Sequence, residues 1–222
     1  MPEPRGRRRA RGGWVGPGTA ALIATVAAQG CAAAMGAGTE RSAPGATRVA
    51  EMLVPSGYGS LFQDDVTLTL RTDGLVLKVT PLEEWVLRLT APDTWSRLSS
   101  LAAVHRQEVA RQTGVDDASL FLVSFFSLTP GVSFRPQDVQ IESRGRLQRP
   151  FMIRPLTTGW GQERLRQEEA QLAVYAFSEG VDLEQALAVG YASLVSSGWE
   201  EILRRIELEH GRAVTRAGLG PF

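Results

Sequence analysis

Several stretches of this chain place an apolar residue at every second position, and only a β-strand turns such a period into one buried face. Val66, Leu68 and Leu70 alternate with Thr67 and Thr69, and Leu75, Leu77 and Val79 alternate with Val76, Lys78 and Thr80. Between them Thr72-Asp73-Gly74 is a turn signal. Trp85, Leu87 and Leu89 against Val86, Arg88 and Thr90 predict a third strand. Residues 120–128 are almost continuously apolar and aromatic, the pattern of a central strand buried on both faces, and Thr129-Pro130-Gly131 ends it. Val139 and Ile141 alternate with Asp138, Gln140 and Glu142, and Arg144-Gly145-Arg146 turns the chain. Short strands follow at 151–154, 172–177 and 187–195, while 162–171 has helix formers without an apolar stripe.

Two segments change period. Trp95, Leu98, Ala102, His105 and Val109 are spaced 3, 4, 3, 4, which predicts an amphipathic helix over 93–113, started at Pro92-Asp93 and stopped by Gly114. Trp199, Ile202, Leu203, Ile206 and Val214 supply the apolar face of a second helix. Ser197-Gly-Trp-Glu200 matches a capping box with Ser197 as N-cap. The expected fold class is mainly β with helical additions (α+β): an Ig-like β-sandwich or partly open barrel plus two amphipathic helices.

Apolar residues make up 43% of the 222 positions and charged residues 22%. This excludes wholesale disorder, a collagen-like fibre and a multi-span membrane protein. Basic and acidic residues both number 24, so no overall basic field is present for nucleic acid. The balance is uneven. Arg5, Arg7, Arg8, Arg9 and Arg11 crowd the N-terminus, and residues 32–222 carry 19 basic and 23 acidic groups, a net of −4.

The basic run precedes a weak apolar stretch whose strongest part is residues 20–28. A spanning helix needs about 20 apolar residues, whereas a secretory signal needs only 7–15 followed by small residues at the cut. The sole cysteine, Cys31, sits at that cut. The run Ala28-Gln29-Gly30-Cys31 resembles the lipobox of bacterial lipoproteins. Gly30 and Ala28 fit its small positions, although the leucine common at the second of these is replaced and Gln29 is unusual. The resemblance covers residues 1–31 only. It implies a diacylglyceryl group (palmitate-type chains) on the Cys31 sulfur, cleavage just before it, and anchoring in the cell envelope. Ala32, in place of the aspartate that favours inner-membrane retention, implies the periplasmic face of the outer membrane. An ordinary signal cut near Ala32-Ala33-Ala34 stays open beside this reading. Each buried methylene contributes about 0.8 kcal/mol, so two or three chains hold firmly where one does not.

The expected organisation is a signal peptide at 1–30, the lipidated cysteine and a Gly/Ala/Pro-rich tether at 31–49, and one β-rich domain at 50–222. With no cysteine after Cys31 the domain has no disulfide.

Chemistry is sparse. His105 and His210 sit on helical stripes, outside any His-Glu-x-x-His or His-x-His pattern, so no metal site is expected. There is no Gly-x-Ser-x-Gly, no phosphate-binding glycine loop and no dinucleotide fingerprint, so neither a catalytic residue nor a cofactor is assigned. The adjacent pairs Asp64-Asp65, Glu83-Glu84, Asp116-Asp117, Glu168-Glu169 and Glu200-Glu201 diverge on any regular element and read as solvated surface. Arg135, Arg144, Arg146, Arg149 and Arg154 form a local basic stretch that suits an anionic lipid, glycan or partner protein, or simply water. Trp160, between Gly159 and Gly161, is the candidate contact residue, with a lid on the core as the alternative. The expected function is a lipid-anchored, non-enzymatic envelope domain that binds or scaffolds an envelope protein or glycan. The alternative is an anchored periplasmic hydrolase without a recognisable motif.

Overall fold

The computed structural model describes residues 53–219 except Asp73, Glu163 and Glu179. Cys31, the signal segment and the tether lie outside the described residues. Among the described residues eleven strands and three α-helices form a mainly β fold of three antiparallel sheets, none of which closes into a barrel.

The largest sheet has five strands in the order β1 (Leu68–Arg71), β2 (Leu75–Pro81), β3 (Ser119–Ser127), β9 (Ala170–Phe177) and β7 (Met152–Pro155). The second contains β11 (Leu194–Ser196), β10 (Leu187–Tyr191), β5 (Val139–Ser143) and β6 (Arg146–Gln148). β4 (Val132–Ser133) and β8 (Arg164–Leu165) make a small third sheet.

β3 is central, between β2 and β9, as its nearly continuous apolar run requires. Its two faces feed two different cores. Phe121, Val123 and Phe125 join Tyr175 and Phe177 of β9, Val139 and Ile141 of β5, and Leu187 and Val189 of β10 in the main core between the large sheets. Leu120 and Leu122 point the other way, joining Val174 and Ala176 against Leu98, Ala102 and Val109 of α2 (Pro92–Thr113). The side-chain period of two thus divides one strand between two layers. α2 ends at Gly114, whose φ of 72° is the left-handed stop that glycine adopts without penalty.

The stretch predicted as a third strand is α1, Glu84–Leu87, a single helical turn. Leu87 N–H donates to Glu83 O and Arg88 N–H to Glu84 O, each at 3.0 Å. Trp85, Val86 and Leu87 are all buried in succession, so the apparent alternation was an accident of polar Arg88 and Thr90. Thr90 is itself buried and donates its hydroxyl to Leu87 O. The segment 187–195 is not one strand either. It is a hairpin, with Ala192 at a φ of 52° in the turn and Tyr191 paired to Leu194.

α3, Trp199–Arg216, buries Trp199, Ile202, Ile206, Glu209 and Ala213. Its N-cap is Gly198, with no side-chain cap hydrogen bond, so the expected Ser197 capping box does not form. The indole of Trp199 instead fixes the helix start, fully buried and donating to Leu183 O at 2.9 Å.

Candidate functional site

A cleft of about 630 Å³ is built by three segments remote in sequence. α1 supplies one wall through Glu84 and Trp85, with Glu83 just ahead of it. The loop from α2 into β3 supplies Asp116, Asp117 and Ala118, and β3 its first residue, Ser119. The loop before β10 supplies residues 180–185, including Asp182 and Glu184. Arg106 of α2 and Arg144 of the β5–β6 turn complete the lining. The volume lies within the range of ordinary small-ligand pockets.

Six carboxylates thus face two guanidiniums, and their environments differ. Glu84 is saturated, accepting from Arg88 Nε at 2.7 Å, Trp95 Nε1 at 3.2 Å and Ser99 Oγ at 3.0 Å. Asp182 takes both Nε and Nη2 of Arg144, at 2.9 and 2.6 Å, and its other oxygen accepts from the Glu184 amide at 2.9 Å. Arg144 reaches it from a tight hairpin turn in which Arg144 and Gly145 both have positive φ, 52° and 68°. Among the described residues the Glu83 carboxylate has one ion-pair partner, Arg106, at 3.8 Å. Burial raises the pKa of its carboxyl above the ordinary value, Arg106 opposes that rise, and the charge of Asp117 adds to it. Asp116 and Asp117 are exposed on the rim and have no ion pair among the described residues. Two of the adjacent acid pairs read as solvated surface therefore converge on one cleft, and Glu84 is a structural acceptor. The pairs carried no such signal, because convergence depends on how three distant segments meet.

Trp160 lies over the main core. Its ring meets Phe134 at 5.7 Å, Phe125 at 6.1 Å and Tyr175 at 6.5 Å between centroids, and it is half-buried. Gly159 and Gly161, with φ of 92° and 101°, let the chain turn sharply on both sides of it. Beneath it Tyr175 donates its hydroxyl to Pro136 O at 2.9 Å. The basic stretch is broken up: Arg144 is held by Asp182, and Arg154 pairs with Glu108 at 2.7 Å. Among the described residues His105 Nδ1 lies 3.3 Å from Glu108 without a hydrogen bond, and the buried His210 Nε2 has no hydrogen-bond partner. Among the described residues no three His, Cys, Asp or Glu side chains are placed to hold a metal ion, and no helix is long and apolar enough to cross a membrane.

Sequence reasoning missed Glu209. Only 2% exposed, it accepts from Ser60 N–H at 3.0 Å, from Ser60 Oγ at 2.8 Å and from Arg216. Its signal was present: Trp199, Ile202, Ile206, Glu209 and Ala213 follow the same 3, 4, 3, 4 spacing, with a carboxylate in the register of the apolar stripe.

A second concavity, about 410 Å³ and apolar, lies where Leu101 and Val104 of α2 meet Leu122, Leu156 and Leu172. No family model, curated protein or solved structure matches the chain.

Proposed function

We propose that the protein is a lipid-anchored, non-enzymatic binding domain of the bacterial cell envelope, and that its recognition site is the acidic cleft between α1, the α2–β3 loop and residues 180–185. The observation that carries the binding reading is the excess of carboxylates in a cleft of ligand size, with Asp116 and Asp117 left open at its rim. Such a site favours a partner that presents a cationic group, such as an amine-bearing glycan or a lysine-bearing segment of an envelope protein. The anchoring reading is supported by Ala28-Gln29-Gly30-Cys31 behind a basic and then apolar leader.

Two experiments test it. Cys31→Ser abolishes palmitate labelling and releases the protein from the membrane fraction; a wild-type chain that never takes up labelled palmitate defeats the anchoring reading. Spermidine, followed by amide chemical shifts, perturbs residues 116–119, and the double change Asp116→Asn with Asp117→Asn abolishes the response. Shifts confined elsewhere defeat the cleft reading.

One observation favours a second reading, the anchored hydrolase. Glu83 with a raised pKa and the exposed Asp117 stand in one cleft in contrasting environments, the arrangement that separates an acid from a base. Under that reading Glu83→Gln removes turnover of a chromogenic ester or glycoside while spermidine still binds.

A further inference from the structure

The first described residues, 53–61, run as an irregular strap that touches both α3 and the segment behind the cleft. On one side the buried Glu209 holds Ser60 by its amide and its hydroxyl. Arg216 of the same helix donates to Glu209 and, through Nε at 2.9 Å, to Tyr58 O. On the other side Leu61 N–H donates to Leu89 O at 3.0 Å and Ala91 N–H returns to Leu61 O at 2.9 Å. Gly59 lies so flat on this segment that a Cβ there would sit 2.2 Å from the Leu89 carbonyl carbon. Residues 88–91 lead directly from α1 into α2. Arg88 links the two sides again, donating to Val54 O at 3.2 Å and to the Glu84 carboxylate in the cleft wall at 2.7 Å.

α1 has four residues, too few to persist on its own hydrogen bonds, so its position is set by what grips it. Glu84 ties it to α2, and the strap ties it to α3. We propose that the strap is a latch: docked on Glu209 and Arg216 it sets the α1 wall of the cleft, and cleft occupancy and strap docking are therefore coupled. The occupancy half rests on the cleft reading above; the positioning half does not. Coupling is reciprocal, so a ligand that prefers the set wall also holds the strap down.

Amide hydrogen exchange on the full-length chain tests both halves. Glu209→Gln removes the buried charge, and Arg216→Gln, at a half-exposed site, releases Tyr58 with less risk to folding. In each variant the amides of 58–61 and of 86–91 are expected to exchange about tenfold faster together, with β3 and β9 unchanged. Faster exchange in the strap alone, in neither segment, or equally in β3 and β9 overturns the latch. With wild type, spermidine is expected to slow exchange at both 116–119 and 58–61. Protection of 116–119 without the strap overturns the coupling, whereas protection of neither defeats the cleft reading and leaves the latch to be decided by the two variants.

Discussion

A carboxyl group partly withdrawn from water, with a cation only at 3.8 Å, is held at a cost, and Glu83 shows its sign. Burial, opposed by Arg106 and aided by Asp117, raises its pKa above 4.5, so the folded state binds its proton more tightly than the unfolded state does. The contribution of Glu83 to stability is therefore fully present below that value and is lost as pH rises through the raised pKa. Glu83→Gln is expected to raise the urea midpoint at pH 7, with the gain shrinking to nothing as pH falls below about 4.5; a gain that persists in acid would assign the effect to packing instead. Glu209, more deeply buried than Glu83, has the donors that Glu83 lacks. Its amide, hydroxyl and guanidinium partners replace water, which is the condition for burying a charged group.

At the scale of the element, α3 shows what periodicity can and cannot tell. Its apolar stripe and its burial against its own domain follow from the 3–4 spacing of Trp199, Ile202 and Ile206. Ile206→Ala is accordingly expected to cost about 2–5 kcal/mol, as large-to-small core changes do; an unaltered urea midpoint would mean that the helix is not part of the core. Ser197→Ala, in contrast, is expected to shift stability by less than about 0.5 kcal/mol, because no side-chain cap forms there. The match of Ser197 to Glu200 in sequence did not record that the helix begins one residue later, at the buried Trp199 whose indole donates to Leu183 O. The same competition explains α1. Alternation over six residues fits a strand and a helical turn about equally well, and burial of the consecutive Trp85, Val86 and Leu87 decided between them. β3 was readable because its apolar residues fall on both faces of one short run, which a strand enclosed from both sides accommodates.

At the largest scale, residues 53–219 place α2 on one face of the five-stranded sheet, and the four-stranded sheet with α3 on the other. The mainly β class with two added amphipathic helices was legible in the periods, whereas the face each helix covers was not. The cleft was not, because no local pattern records that residues 83–85, 116–119 and 180–185 meet. The latch carries a consequence in time. Ser60 and Glu209 are 149 residues apart, yet each completes the other. A ribosome adding about 5–20 residues per second makes Ser60 about 7–30 s before Glu209 exists. Ser60 is therefore among the last residues of the strap to find its partner, and a chain cut short before residue 209 keeps the contacts to Leu89 and Arg88 but loses those to α3.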